Sequence, residues 1–271
     1  MKYAGGFCAV LLTAVALHAA AGNPPTDETR SQLVSQGTLR VAIAVGNSPS
    51  AFRATRDRVT GEVRGVTVVL ANALAQRLGV ALQLVPFESS VALTNAAAAG
   101  AWDVAFVPAD VERAKVLDFT PPYYLYESAF LVRPGSRMRT VAQLDRPGVR
   151  IAALAGSTTL RNAARDLKKA TLVPFGTETE LLDAMRSGKA DAMAMGRESL
   201  QGFAAKVPGS RIIEGESLAA GVAAAVPKNH PAALAYLREF IEEEKASGAV
   251  QKALESAGVT SGTIAPLATP Q

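Results

Sequence analysis

Apolar positions along the chain fall into two alternating periods. LRVAIAVG (39–46) sets apolar residues between turn formers and predicts a buried strand. VTVVLANALAQRLG (66–79) carries helical periodicity closed by a glycine, and VALQLVPF (80–87) predicts a second strand. A further helix-like segment ends in glycine and leads through Gly100-Ala101-Trp102-Asp103 into the small apolar strand VAF. VRIAALAG (149–156) then repeats the first pattern. TTLRNAARDL predicts a helix opening on Ser157 or Thr158, ATLVPF a strand, and TETELLDAMRSG a helix capped by Thr177 or Thr179. This half also closes on glycine and aspartate, Gly188-Lys189-Ala190-Asp191, ahead of AMAM. One architectural unit is thus used twice. Alternating strands and helices imply an α/β fold with a mostly parallel sheet, and such sheets bind ligands outside the carboxyl ends of their strands.

ESAFLVRPG (127–135) and AAGVAAAVPK (219–228) are extended, apolar and bounded by Pro or Gly. They flank the second unit and are candidates for strands that cross between two lobes. Residues 231–258 predict two helices separated by Ser247-Gly248, with Glu242 to Glu244 on a solvated face. Residues 23–37 are a polar lead-in, and the tail TIAPLATPQ has no pattern that argues for order.

The first residues change the picture. MKYAGGFCAVLLTAVALHAAAG has one lysine, an apolar run from Ala4 to Leu17 and then Ala19-Ala20-Ala21, the order of a secretory signal peptide over residues 1–21. The run is shorter than the ~20 residues of a bilayer span. Cys8 sits near its start, where it does not suit a lipid anchor. The expectation is a soluble periplasmic protein, exported by a cleaved leader that removes the only cysteine and with it any thiol chemistry. About 250 mature residues are enough for a large core. The formal net charge of +4 falls to +3 without Lys2, and the basic residues are scattered. No nucleic acid partner is expected, only a mild preference for anions.

Candidate chemistry is sparse. The mature chain keeps one histidine, His230, so neither a metal site nor a Ser-His-acid triad is expected. No G-x-S-x-G elbow and no phosphate- or dinucleotide-binding glycine motif follows a strand, so no cofactor is expected. Two binding features remain. Gly156-Ser157-Thr158-Thr159 follows a strand and opens a helix, where backbone N–H groups, hydroxyls and the helix dipole favour a carboxylate. Arg113, in DVERAKVLDFTPPYY, offers a planar, charged fork that grips a carboxylate through two hydrogen bonds.

Together, LRVAIAV, the helix ending RLGV, the strand into Gly-x-x-Asp-Val, ERAKVLDFTPPYY, VRIAALAGSTT, SGKADAM and PKNHP occur in an order that resembles bacterial solute-binding protein family 3. These are the polar amino acid receptors of ABC importers, and the resemblance spans about residues 37–258. It implies a two-lobed type II periplasmic binding protein fold, with lobe 1 at residues 37–126 plus 222–271 and lobe 2 at residues 127–221. It also implies two crossing strands, a small-molecule ligand trapped by lobe closure, a membrane permease as partner, a monomer and no enzymatic activity. By position, Arg113 would grip a substrate carboxylate from lobe 1, and Ser157 and Thr158 from lobe 2.

The sequence departs from that family at telling places. In the amino acid receptors an aspartate five residues after the Gly-x-x-Asp acid receives the substrate ammonium; Gly196 stands there. Phe106, Pro108 and Asp110 replace the small or hydroxyl residues expected before the arginine, and Gly65-Val66-Thr67-Val68-Val69 replaces G-F-D-x-D. A buried ammonium without a counter-charge is strongly disfavoured. Either the ligand has no ammonium, or another acid, Glu198 or Asp110, substitutes. Phe52, Phe87, Ser90 and Tyr124 are candidate side walls. The expected function is a receptor for a carboxylate-bearing solute, an atypical amino acid or organic anion. The alternative is an exported enzyme similar to the cyclohexadienyl dehydratases, with Glu198, Glu88 or Asp110 as its acid or base.

Overall fold

The computed structural model describes residues 23–46, 49–213, 218–260 and 262–269, and the expected leader lies outside them. The first apolar run forms β1 (Thr38–Gly46), in which Leu39, Val41, Ala42, Ile43 and Ala44 are buried. A strand buried on both faces needs neighbours on its edges and helices on its faces. Its parallel neighbours are β2 (Arg53–Arg56), which turns back antiparallel as β3 (Val63–Arg64), then β4 (Ala81–Phe87) and β5 (Val104–Pro108). The polar lead-in conceals a helix, α1 (Asp27–Leu33), capped by Thr26 and anchored by Thr29 and Leu33. The faces are completed by α2 (Val66–Leu78) and α3 (Ser90–Asn95).

After the short β6 (Leu117–Phe119), β7 (Tyr124–Val132) leaves this lobe. The second unit follows as α4 (Val141–Leu144), β8 (Arg150–Leu154), α5 (Thr158–Asp166), β9 (Thr171–Phe175), α6 (Glu178–Arg186), β10 (Ala192–Gly196), α7 (Arg197–Lys206) and β11 (Arg211–Ile212). Strands β8, β9 and β10 are parallel, and β10 pairs antiparallel with β7 from Val132 to Ser128. The chain returns in β12 (Leu218–Pro227), whose first half pairs β7 and whose second half pairs β5 and β6. These two antiparallel strands carry the sheet from one lobe to the other. Each lobe packs an apolar core on both faces of its own part of the sheet.

Helices α8 (Pro231–Ala246) and α9 (Ala249–Ser256) close the first lobe. The tail is ordered by partners that a linear pattern does not reveal: β13 (Thr263–Ile264) pairs β7, and Ala265 is buried. The glutamates of α8 are not simply solvated. Glu242 pairs with the buried Lys245 at 2.7 Å and accepts from the Ala268 backbone, while Glu243 pairs with Arg77. Among the described residues, no helix is long and apolar enough to cross a membrane.

The repeated Gly-x-x-Asp motif has a structural cause. Asp103 accepts from the Arg40 backbone at 2.8 Å and its guanidinium at 2.6 Å, while Arg40 donates to the Gly100 carbonyl at 2.8 Å. Asp191 does the same with Arg150, at 3.0 and 3.1 Å, and Arg150 donates to the Gly188 carbonyl at 2.8 Å. Each aspartate therefore fastens the entry of one strand to the start of its parallel neighbour.

Candidate functional site

A cavity of about 820 Å³ lies between the lobes. Its walls include the carboxyl ends of the parallel strands: Gly46, Phe87 and Pro108 from lobe 1, and Leu154 and Gly196 from lobe 2. That is where an open α/β sheet presents its loops to a ligand.

Arg113 lines this cavity yet is only 3% exposed. The short turn that carries it is built by Asp110, whose Oδ1 accepts from the backbone N–H groups of Glu112 and Arg113, both at 3.0 Å. The guanidinium then has partners in both lobes. Nε donates to Thr94 at 3.1 Å and Nη2 to Ser90 at 2.9 Å. Nη1 donates to the Pro108 carbonyl at 2.9 Å, to Asp110 at 3.1 Å and to Thr158 of lobe 2 at 2.5 Å. Burial pushes Arg113 down to about 10, against the opposing pull of Asp110, and leaves it charged at neutral pH. Burial pushes Asp110 up, but hydrogen bonds from Thr158, the Arg113 backbone and Arg161 prevail and hold it below the usual carboxylate range.

The lobe 2 side is the first turn of α5. Gly156 precedes it at φ 64°, a conformation glycine adopts without strain, and a Cβ there would stand 3.2 Å from Val91 of lobe 1. The opposing walls approach closely at this point. Ser157 lines the cavity, but its hydroxyl caps α5 by accepting from Leu160 N–H. Thr158 instead turns toward Arg113 and donates to Asp110 at 2.6 Å. Arg161 also reaches Asp110. The two residues expected to act alike therefore divide the work, one shaping the turn and the other joining the lobes.

Gly196 lines the cavity and has no room for the expected acid, because a Cβ there would overlap the ring and hydroxyl of Tyr126. Tyr126 is buried edge-on to Phe52, with ring centroids 5.1 Å apart. Its hydroxyl is pushed up to about 12, first by burial and then by Glu198. Neither proposed substitute acid lines the cavity. Asp110 stands behind Arg113, and Glu198 is buried in the first turn of α7, accepting from the Tyr124 hydroxyl at 3.0 Å. Tyr124 thereby bonds the start of α7 and does not line the cavity, where Tyr126, two residues on, stands instead. Phe52, Phe87 and Ser90 do line the cavity.

Arg53 escaped the sequence reading. It is 7% exposed, lines the cavity, and crosses it to Glu178 of α6 and Ser199 of α7. Its guanidinium lies over Gly46, where a Cβ would stand 3.2 Å from Nη1. The available signal was its place directly after Phe52, but a basic residue in a short polar strand carries no mark of burial. Glu178 reads simply as an acid in the first turn of a capped helix.

Two lobes of repeated parallel sheet, two crossing strands and a cleft with polar groups from both sides define a two-lobed binding-protein fold. The chain belongs to the bacterial extracellular solute-binding proteins, family 3, whose model matches residues 39–257. It is 24% identical over 215 residues to an ABC transporter glutamine-binding protein of Bacillus subtilis, spanning 75% of this chain and 78% of that one. It is 28% identical over 186 residues to a cyclohexadienyl dehydratase of Pseudomonas aeruginosa, spanning 67% of this chain and 68% of that enzyme. Its fold matches an amino acid ABC transporter substrate-binding protein of Streptococcus pneumoniae bound to L-arginine. The TM-score is 0.70 at 27% identity, covering 84% of this chain and 97% of that one. The type II periplasmic binding protein fold thus accounts for nearly all of the described chain.

Proposed function

We propose that this protein is the periplasmic substrate-binding receptor of an ABC importer and traps a small carboxylate-bearing solute without an ammonium group. The ligand closes lobe 1 (residues 37–126 plus 222–271) onto lobe 2 (residues 127–221), and the monomeric closed form is presented to a membrane permease. Cleavage of the leader after about residue 21 releases it into the periplasm. The observation that carries this reading is the buried Arg113 fork at the cleft, joined to Ser90 of lobe 1 and Thr158 of lobe 2. A ligand that engages groups from both lobes favours the closed state, and that differential affinity drives closure.

Two observations support a ligand without an ammonium. Tyr126 fills the space at Gly196, and the nearby cation Arg53, bonded to Ser199 three residues further on, replaces an acid. The dehydratase reading has less support: Glu198 and Asp110 are buried among partners away from the cavity wall, leaving only Glu88 of the three nominated acids on it. Calorimetry with matched carboxylates, amines and amino acids tests the assignment. Carboxylate binding that disappears in Arg113→Ala supports it, and undiminished binding in that variant overturns it.

A further inference from the structure

Arg53 is a buried cation on the cavity wall that the proposed carboxylate grip leaves without a role. Its terminal nitrogens donate to Glu178 and Ser199, but Nε, fully buried, has no protein acceptor. A buried donor without an acceptor is costly, and structures retain one where something else meets it or where function requires it. Charge narrows what that something is. Arg53 and Glu178 neutralise each other, while Arg113 and Arg161 share the single carboxylate of Asp110. Among the described residues that line the cavity, Arg53, Arg56, Arg58 and Arg113 stand against Asp57, Glu88 and Glu178, one formal positive charge more than negative, which suits a ligand with one negative charge. The group beside that carboxylate meets the Arg53 fork and the Tyr126 hydroxyl. Tyr126 lines the same cavity, edge-on to Phe52, whose ring also lies beneath the Arg53 guanidinium at 5.9 Å.

We propose that Arg53 is a second recognition residue, positioned by Glu178 and Ser199 to bind a neutral oxygen on a singly charged carboxylate ligand, an oxo or hydroxy acid. This inference rests on the receptor reading above and adds the substituent that the cleft selects. Small adjustments of the fork bring an N–H to the oxygen, and the Tyr126 hydroxyl supplies a partner for a hydroxyl substituent. An ammonium at the same place meets N–H donors, which offer it no lone pair. A second carboxylate meets Glu178, which already holds the charge of Arg53.

The test is calorimetry of the full mature protein with matched acids of one carbon skeleton: 2-oxo, 2-hydroxy, 2-amino and unsubstituted, plus the corresponding dicarboxylate. Wild type is expected to favour the oxo or hydroxy acid over the others by about 10-fold, the worth of one hydrogen bond to a charged group. The double variant Arg53→Met with Glu178→Gln keeps the net charge of the cleft and should abolish this preference while still binding the unsubstituted acid. A role confined to joining the lobes would instead weaken all acids alike, and an unchanged preference ratio overturns the proposal. Should the double variant fail to fold, Arg53→Lys keeps the ion pair without the planar fork and is read in the same way. Loss of all carboxylate binding in Arg113→Lys, with the Arg53 ratio unchanged, leaves the receptor reading standing and sinks this one. Wild type that binds none of the carboxylates overturns both, and a wild type that prefers the dicarboxylate overturns the single-charge assignment.

Discussion

The two lobes share a scaffold and differ where their strands end. In each, an aspartate at the entry of a strand fastens the first strand's arginine, Asp103 to Arg40 and Asp191 to Arg150. Five residues after each aspartate the strand reaches the cavity, at Pro108 in lobe 1 and Gly196 in lobe 2. Beyond that point the lobes diverge. Pro108 has no N–H to offer, and its carbonyl accepts from Arg113. Gly196 has no side chain, and Tyr126 fills the space it leaves. The same framework thus delivers a buried cation from one side and an apolar, hydroxyl-bearing wall from the other. Repetition sets where the groups stand, and the residues just past the repeat set what they do.

Removing the cation should break this contrast most. Arg113→Ala is expected to weaken carboxylate binding by about 100-fold or more, because a buried charged group is lost while Asp110 keeps its charge. Thr158→Val, its counterpart in lobe 2, removes the hydrogen bonds to Arg113 and Asp110 but leaves the cation in place, and should cost about 10-fold. Calorimetry measures both, and equal losses would contradict the asymmetry between the lobes.

Restoring an acid to lobe 2 should sharpen the contrast. Gly196→Asp forces atoms into the Tyr126 ring and should lower stability by about 1–3 kcal/mol, the usual cost of overpacking. Combined with Tyr126→Ser, the space opens, stability should recover in a thermal melt, and amino acids should gain affinity relative to their deaminated analogues. No gain in amino acid affinity in that double variant would show that Tyr126 does not control recognition of an ammonium.

The clasps allow a smaller comparison. Asp103→Asn and Asp191→Asn are each expected to cost about 1–2 kcal/mol in urea unfolding, since each weakens charge-assisted hydrogen bonds. Asp103 should cost more because it is the more buried of the two and also accepts from Ser35. The smallest effect concerns pH. Asp110 is held below its ordinary value of 3.8, so its contribution is complete above that value and is lost as pH falls through the lower folded pKa. Stability should drop with an extra component below about pH 4 that is absent in Asp110→Asn.

Much of the scaffold was legible because its signals are local. The apolar runs of β1 and β8, the periodicity of α2, and the Thr177 cap reciprocated by Glu180 at the start of α6 needed no distant partner. The helix α1 was hidden because it buries only Thr29 and Leu33, too few for a periodic stripe. The tail was hidden because its order comes from β7 and Lys245, which lie far away in sequence. In the site, Arg113 was visible because its motif is contiguous, and Gly196 because a spacing places it. Arg53 and Tyr126 were not, since nothing within a few residues of either reveals that both face one cavity.

What the amino-acid sequence determined by itself is the α/β order, the repeated unit, the arginine and the turn that opens α5, because propensities, caps and hydrophobic period act over a few residues. Only the tertiary structure decided which acids line the cavity. Glu198 stands two residues from Gly196, yet it points to Tyr124, while Glu178 comes from another helix to meet Arg53. Charges are paired by distance in space, and that distance is set only when the lobes have folded and the crossing strands have brought them together.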